Sequence, residues 1–253
     1  TLSGAAMMWL RSFLFVFWMY GVMAVMGVLF LPALFLPVSV TLRAIRLYTR
    51  FLIWGLAAFC GIRTEIRGQQ NMPVGPVIYA GKHHCMLDIF IPFLVMKAPA
   101  IIMKRELLWY PFLGWYALKT GMIAIDRAGT VKTLKRLVSL ASARIRENRQ
   151  IVIFPEGTRK APGAAPAYQP AGMAALTKAL QAPVVPVATN AGLCWPSRGL
   201  KRTKGIIVYE ILPAIPAGLP RKELMQQLET ELEAATDALV AEGRAVQDRL
   251  SIN

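Results

Sequence analysis

The chain contains few charged residues and few residues of the types that form disulfides or bind metals. Only 17% of its 253 residues are charged, against about 25% in a typical soluble protein. Its three cysteines are widely spaced and odd in number, with no Cys-x-x-Cys pair, which indicates a reducing compartment and no disulfide framework. Two adjacent histidines without a cluster of carboxylates and cysteines lack the usual spacing of a zinc site, so no metal is predicted.

Negative charge is scarcer than positive charge. The chain has 29 Lys and Arg but 14 Asp and Glu, a net charge of +15. Nucleic acid and anionic lipid both suit a basic chain. Because 55% of the residues are hydrophobic and the first third is strongly apolar, we predict an anionic membrane as partner and no nucleic acid. The sequence also lacks a Gly-x-Gly-x-x-Gly motif and a P-loop, and no cofactor is predicted.

The N-terminal segment carries no charge between Ser12 and Leu42. A helix of about 20 apolar residues can cross a hydrocarbon core of about 30 Å. A signal peptide is the alternative, but its apolar region is only about 7–15 residues and precedes a cleavage site with small residues. We therefore predict a membrane-anchoring helix over residues 1–37, which Pro32 and Pro37 break near its end. The pattern fits a helix that spans the bilayer and one that lies in a single leaflet.

An amphipathic segment follows at residues 38–61. Arg43, Arg46 and Arg50 fall on one face of a helix whose other positions are mostly apolar, and Gly61 supplies a C-cap. After a membrane anchor, such a cationic stripe predicts an interfacial helix. The alternative is a core helix with three solvated arginines.

From Ile62 onward, short β-rich runs alternate with helical patterns. This alternation predicts an α/β domain over residues 62–253, with a mixed, largely parallel sheet flanked by helices. The predicted strands are 77–80, 100–103, 122–126, 150–154, 184–189 and 205–212. The predicted helices are 130–149, 170–180 and 221–250.

Both histidines of the chain occur in one short stretch that also contains a carboxylate, Asp88. Histidine has its ordinary pKa near neutrality and is the usual general base at physiological pH. A carboxylate can orient such a base by binding one of its ring nitrogens. Residues four apart share a helix face, so spacing alone favours a pair of His84 with Asp88 over His83 with Asp88.

Four sequence blocks follow one another in the α/β region. They are His83-x4-Asp88; Lys104-Arg105-Glu106-Leu107 with Pro-Phe-Leu-Gly at 111–114 and residues 121–127; Phe154-Pro155-Glu156-Gly157-Thr158-Arg159; and Val184-Val185-Pro186-Val187-Ala188. The first pattern is common by itself, but the Phe-Pro-Glu-Gly-Thr-Arg hexapeptide is highly specific. Over about residues 60–215, their order and spacing resemble the 1-acylglycerol-3-phosphate acyltransferase family of glycerolipid acyltransferases.

The resemblance implies the glycerolipid acyltransferase fold and transfer of an acyl group to a lysophospholipid. The donor would be acyl-CoA or acyl carrier protein, and the acceptor the sn-2 hydroxyl of lysophosphatidic acid, giving phosphatidic acid in phospholipid synthesis. The resemblance makes His83, in a loop before a helix, the base, with Asp88 fixing its tautomer. The implied location is the cytoplasmic face of a membrane, the inner membrane in a bacterium.

An acceptor that carries a phosphate needs cations around it. The resemblance places the following residues near the head group: Lys104, Arg127, Glu156, Gly157, Thr158 and Arg159. Arg159 offers a planar, bidentate match to phosphate, and Gly157 allows close approach of the backbone. The alternatives are a solvated strand end for Lys104 and an ion pair with an arginine for Glu156.

Cys85 departs from the family pattern, which has serine at this place. A cysteine beside two histidines allows an acyl-cysteine intermediate, and the alternative is a small buried substitute for serine.

Two other functions of the protein also remain open. One is acylation of another lyso-lipid, such as lyso-ornithine lipid or lysophosphatidylglycerol. The other is a membrane-binding scaffold without catalysis, against which the intact His83, Asp88, Glu156 and Arg159 argue.

Overall fold

The computed structural model of the protein describes residues 4–126 and 130–252. Its strands are β1 (Ile62–Arg67), β2 (Ile78–Gly81), β3 (Pro99–Lys104), β4 (Ile123–Ile125), β5 (Gln150–Ile153), β6 (Val184–Thr189) and β7 (Gly205–Ile211). Its helices are α1 (Gly4–Leu29), α2 (Val38–Cys60), α3 (Pro92–Val95), α4 (Leu113–Lys119), α5 (Val131–Arg146), α6 (Pro170–Leu180) and α7 (Arg221–Ile252).

Within the described residues, the strands form a seven-stranded sheet in the order β1-β7-β6-β2-β5-β3-β4. Neighbouring strands are parallel except β6 and β7, which are antiparallel. The predicted fold class, a mixed and largely parallel sheet flanked by helices, is therefore confirmed. Because parallel strands end at the same edge of a sheet, β2, β3, β4, β5 and β6 all end at one edge, which we call the carboxyl edge.

The central strands are buried on both faces. All residues of β2, β5 and β6 are buried, which explains their nearly continuous apolar sequences. One face packs against α5, α6 and α7, and the other contacts residues of α2 and α3. The edge strand β1 was not predicted, because its alternation of Arg63, Glu65 and Arg67 with smaller residues lacks the apolar run of a central strand.

Helices α1 and α2 form a hairpin that packs against the sheet and against the loop after β2. Their inner side chains share a core with Cys85, Leu87 and Tyr209. Gly55 permits close contact of the two helices, because a Cβ atom there would lie 2.4 Å from the Trp18 ring. The predicted interfacial helix thus also has a buried face. The predicted boundaries at residues 37/38 and 61/62 remain a prediction, although α2 begins and ends near them.

The outer face of the hairpin is apolar. Residues Ala6–Leu29 form a helix long and apolar enough to cross a membrane. An 18-residue stretch within it has a mean hydropathy of 2.0, and 28% of that stretch is buried in the protein. Its large exposed side chains are Met7, Trp9, Leu10, Phe13, Leu14, Phe17, Tyr20, Val25, Val28 and Leu29. If this helix belonged to the core of a soluble protein, most of these side chains would be buried.

Arg46 does not belong to the solvent-facing cationic stripe predicted for α2. Its guanidinium donates hydrogen bonds to the backbone carbonyls of Phe93, at 2.9 Å, of Met96, at 3.2 Å, and of Lys97. These carbonyls lie at the end of α3, where helix carbonyls lack partners within the helix. Arg43 and Arg50 are exposed, so these two arginines of the stripe remain available to contact lipid.

Candidate active site

The loop after β2 brings His83 and Asp88 together. His83 Nδ1 lies 3.0 Å from Asp88 Oδ2, which also accepts hydrogen bonds from the backbone N–H groups of His84, at 2.6 Å, and Cys85, at 2.8 Å. Asp88 Oδ1 accepts a hydrogen bond of 2.7 Å from the Tyr209 hydroxyl. Asp88 belongs to a 3-10 turn (Leu87–Ile89), and the chain curls so that its carboxylate reaches back to His83. The pair is thus the one that the resemblance favours.

These contacts determine the protonation of the pair. Burial by itself raises the pKa of Asp88, but the hydrogen bond and charge of His83, together with His84 and the Cys85 amide, outweigh it and hold the pKa below its ordinary value. An ionised Asp88 accepts a hydrogen bond, so it favours the tautomer of His83 with the proton on Nδ1. Nε2 is then the nitrogen that can accept a proton from a substrate.

The ring of His83 is held on its face by Phe154, the first residue of the hexapeptide. The two rings are stacked, with centroids 4.3 Å apart and an angle of 23° between the planes. The backbone of Lys160, just after the hexapeptide, donates a hydrogen bond of 2.8 Å to the His83 carbonyl. The first and third sequence blocks are therefore in direct contact at the carboxyl edge.

His84 occupies a different environment from His83. It is 1% exposed, and its Nδ1 accepts a hydrogen bond of 3.4 Å from the Gly192 amide. Burial lowers the pKa of His84 to about 4, with nearby Lys82 and His83 adding to the effect and Asp88 opposing it. A neutral, buried imidazole does not compete with His83 for Asp88, and the pairing favoured by helical spacing alone is wrong.

Cys85 is completely buried. Burial, together with the nearby Asp88 carboxylate, raises the pKa of its thiol well above the ordinary value. Its Sγ lies 3.4 Å from Asp88 Oδ1, a contact in which the thiol donates. A protonated, buried thiol is a poor nucleophile, and this environment agrees with Cys85 as a small buried substitute for serine.

The hexapeptide forms a turn after β5. The Gly157 amide donates a 2.9 Å hydrogen bond to the Phe154 carbonyl, and Gly157 has φ of 66°, a left-handed conformation that favours glycine. Thr158 and Arg159 are exposed beyond this turn. The turn therefore places Arg159 at the carboxyl edge with its side chain exposed.

The prediction of a head-group contact required Glu156 to lie beside the exposed cations. In the structure it does not. Its side chain is 1% exposed, and Oε1 accepts a hydrogen bond of 3.1 Å from the Lys82 ammonium. The alternative of an ion pair was the better interpretation, although the partner is a lysine and not an arginine. Burial raises the pKa of Glu156, an effect that Lys82 opposes.

The second block supplies one described cation near this edge. Lys104 ends β3 and is exposed, with its ammonium 3.3 Å from Glu106. Arg127, the other cation predicted for this block, lies outside the described residues. The fourth block, Val184–Thr189, is a buried strand. Among residues 4–126 and 130–252, no group of three or more His, Cys, Asp or Glu residues is placed to hold a metal ion.

Sequence analysis missed three residues of the site: Tyr168, Tyr209 and Glu233. Tyr209 binds Asp88, and Glu233 binds both Lys82, at 2.7 Å, and the Tyr168 hydroxyl, at 2.6 Å. None belongs to a recognised block. A weak signal was present at Glu233, a carboxylate next to the apolar side of the last predicted helix, but only the tertiary structure supplies its partner.

The sequence of the chain is similar to those of known acyltransferases. A model of the family described as "Acyltransferase" matches residues 63–190. The 1-acyl-sn-glycerol-3-phosphate acyltransferase of Pseudomonas aeruginosa is 33% identical over 204 residues, covering 81% of this chain and 79% of the relative. The human 1-acyl-sn-glycerol-3-phosphate acyltransferase alpha is 28% identical over 202 residues, covering 75% and 69%.

A solved structure has the same fold. The 1-acyl-sn-glycerophosphate (LPA) acyltransferase of Thermotoga maritima superposes with a TM-score of 0.76 and 20% sequence identity, covering 91% of this chain and 95% of that chain. The family model and the bacterial relative bear out the resemblance found in the sequence blocks, and this chain belongs to the acyltransferase family.

Proposed function

We propose that this protein is a 1-acyl-sn-glycerol-3-phosphate acyltransferase. It transfers an acyl group from a thioester to the sn-2 hydroxyl of lysophosphatidic acid, giving phosphatidic acid in phospholipid synthesis. The observation that carries the proposal is the buried His83–Asp88 pair stacked against the first residue of the hexapeptide. The names of the bacterial and human relatives support lysophosphatidic acid as the acceptor.

The reaction needs a base but no nucleophile from the protein. His83 Nε2 takes the proton of the sn-2 hydroxyl as its oxygen bonds to the thioester carbonyl carbon. Asp88 stabilises the imidazolium that forms, through the 3.0 Å contact to Nδ1. When the tetrahedral intermediate collapses, the C–S bond breaks and the leaving thiolate takes the proton from His83. The products are phosphatidic acid and a free thiol, and His83 returns to its starting state.

The acceptor phosphate is proposed to bind the cations at the carboxyl edge. Arg159 and Lys104 are exposed there, and Gly157 allows close approach of the backbone. Arg127 and Thr158 complete the predicted set. Arginine binds phosphate with two parallel hydrogen bonds, which fixes the orientation of the glycerol as well as its position. Glu156, being buried, acts within the protein and not on the phosphate.

The acyl donor is proposed to be acyl-CoA or acyl carrier protein, acting as a co-substrate. Both present the same thioester, and both leave as a thiol. Both occur in the cytoplasm, so we place the active site on the cytoplasmic face of a membrane, the inner membrane in a bacterium.

A membrane is the proposed partner of the apolar surface around α1. This surface continues onto residues 105–119, which bind the end of α1 through the Tyr116 hydroxyl and the Gly27 carbonyl, 2.9 Å apart. Its large exposed side chains beyond α1 are Phe35, Leu36, Trp109, Tyr110, Trp115 and Leu118. Exposed tryptophan and tyrosine beside basic residues are typical of protein surfaces at the lipid–water interface.

The membrane contact can be tested with a fluorescent label, because the three native cysteines are buried. Trp109→Cys places a reactive thiol on the proposed surface, where Trp109 is 84% exposed. Val74→Cys is the matched control, an exposed residue before β2, at the opposite edge of the sheet. On anionic vesicles, lipid-borne quenchers should quench the label at position 109 and not at position 74. Equal quenching, or none, contradicts the proposed orientation.

The activity is tested by assaying purified protein against a panel of lyso-lipids with both donors. Turnover of lysophosphatidic acid above all other acceptors is expected. Preferred turnover of lyso-ornithine lipid or lysophosphatidylglycerol would replace the proposed acceptor. Failure with every acceptor and donor would leave the scaffold without catalysis as the better description.

A further inference from the structure

Lys82, the residue before the proposed base, is buried between two carboxylates. Its ammonium lies 3.1 Å from Glu156 Oε1 and 2.7 Å from Glu233 Oε1, while its side chain is 3% exposed. The Tyr168 hydroxyl donates a 2.6 Å hydrogen bond to the same oxygen of Glu233. Lys82, Glu156, Glu233 and Tyr168 form what we call the lysine network. None of these contacts takes part in the proposed proton transfer.

A buried ammonium requires such partners, because its charge loses its water on folding. The side chain of Glu156 is 1% exposed and that of Glu233 is 22% exposed. Two other titratable residues, Lys160 and Glu229, act electrostatically on the network. Lys82, Glu233 and His84 line a cavity of about 200 Å³. Since removing one partner of a buried ion pair leaves the other uncompensated, each member constrains the position of the rest.

The lysine network connects three separate parts of the chain. Lys82 follows β2 and immediately precedes His83, and its backbone amide is fixed by a 3.0 Å hydrogen bond to Val187 in β6. Glu156 immediately precedes the Gly157 turn. Glu233 belongs to α7, outside the residues 63–190 that match the family model. A helix outside the matched region therefore contacts both active-site segments through one ammonium.

We propose that Glu233 is a positioning residue for acyl transfer, which holds Lys82 so that His83 and the turn from Gly157 to Arg159 keep a fixed separation. Tyr168 holds the Glu233 carboxylate in place. The inference rests on the proposed function, in which His83 is the base and the turn binds the acceptor phosphate.

The chemistry of the acceptor explains why this separation matters. The hydroxyl that His83 deprotonates and the phosphate that Arg159 binds belong to the same small glycerol unit. When the phosphate is held, a shift of His83 relative to the turn moves its Nε2 away from the hydroxyl. A misplacement of about 1 Å can reduce a rate by up to about a hundredfold.

The decisive variant is Glu233→Gln, compared with Glu231→Gln on the same helix. The glutamine side chain keeps nearly the same shape as the glutamate but loses the charge that binds Lys82. Glu231 is half-buried and accepts a 2.8 Å hydrogen bond from Gln227, apart from the lysine network. We expect Glu233→Gln to lower kcat by about tenfold or more, within the range for misplaced groups, and to raise KM for the phosphate-bearing acceptor. Glu231→Gln should match wild type.

A second measurement separates positioning from a general loss of structure. The chain has two histidines, so NMR of the full-length protein in micelles can observe each ring, with His84→Gln to assign them. Because the His83 ring stacks on Phe154 with centroids 4.3 Å apart, its ring proton signals report its position relative to the hexapeptide. These signals should be displaced from their wild-type positions in folded Glu233→Gln and unchanged in Glu231→Gln.

The outcomes are distinct. If Glu233→Gln is folded and has the kcat, KM and His83 ring signals of Glu231→Gln, the inference is wrong while the proposed function stands. If wild type and Glu231→Gln turn over no lysophosphatidic acid, the proposed function is wrong. Should Glu233→Gln fail to fold, Tyr168→Phe takes its place. If Tyr168→Phe lowers kcat and raises KM, by less than is expected for Glu233→Gln, the inference is supported. Wild-type kcat and KM in Tyr168→Phe contradict it.

Discussion

His83 and His84 are neighbours in sequence, but they lie in two different regions of the molecule. His83 stacks on Phe154 at the carboxyl edge and shares Asp88 with Tyr209. His84 lies on the side of the loop that faces Gly192 and the cavity lined by Lys82 and Glu233. The His83 side of the loop carries the proposed chemistry, and the His84 side packs the loop against the rest of the protein.

The difference teaches that residue type and spacing do not determine the role of a histidine. Both rings carry the same chemistry, yet burial lowers the pKa of His84 to about 4, so it remains neutral at physiological pH. The proposed role of His83 depends on the Asp88 carboxylate. Three other donors, the His84 and Cys85 amides and the Tyr209 hydroxyl, also hold this carboxylate in place. The predictions below test this division of the loop.

The largest effect is expected from replacing the proposed base. His83→Ala should lower kcat by at least about a hundredfold, the lower end of the contribution of general-base catalysis. His84→Ala should lose much less, because its ring contacts Gly192 and not Asp88. Steady-state assays of both variants, with circular dichroism to verify folding, check this. An inactive His84→Ala beside an active His83→Ala would reverse the two roles.

The next effect concerns acid stability and belongs to the His84 side. Because the pKa of His84 is about 4 in the folded state and about 6.5 unfolded, the unfolded chain binds more protons between these values. Stability should therefore fall as pH decreases from about 6.5 to 4, by at most about 3 kcal/mol from this group. Folding also lowers the pKa of Asp88, so protonation of this carboxylate causes a further loss of stability at lower pH, below its ordinary pKa.

Thermal unfolding at pH 7 and pH 4.5 measures this loss. His84→Gln cannot take up the proton, so its stability should depend less on pH over this interval. An identical pH dependence in wild type and variant would show that His84 is not the group responsible.

A smaller effect is expected at the phosphate side. Arg159→Ala removes a charge-assisted hydrogen bond of about 1.5–3 kcal/mol, equal to roughly ten- to more than a hundredfold in KM for lysophosphatidic acid. Since the contact binds ground and transition states alike, kcat should change little. The exposed Arg198, in the loop after β6, provides a control of equal charge. Unchanged KM and kcat would remove Arg159 from the site.

The smallest effect is expected at Cys85. Cys85→Ser should keep substantial activity, because a hydroxyl can also donate to Asp88 in the place of the thiol at 3.4 Å. Quenched reactions with donor alone should contain no acylated protein by mass spectrometry. A stoichiometric acyl-enzyme that disappears in Cys85→Ser would make the thiol the nucleophile and contradict direct transfer.

Local sequence was sufficient to predict much of the fold and part of the site. The strands at 150–154 and 184–189 and the helices at 170–180 and 221–250 nearly coincide with the observed elements, because buried strands and amphipathic helices have characteristic apolar patterns. The contact of His83 with Asp88 followed from the resemblance, whereas helical spacing favoured His84. Spacing failed because the chain after His83 forms a 3-10 turn and not an α-helix.

The amino-acid sequence by itself determined strands β2 to β7, the long helices and the apolar N-terminal segment. These features depend on interactions between residues close together in the chain. Only the tertiary structure decided that Tyr209 binds Asp88, that Glu233 binds Lys82 and that Arg46 binds the end of α3. These partners are separated by 121, 151 and 47 residues, and no local pattern encodes which polar group will satisfy another that folding has buried.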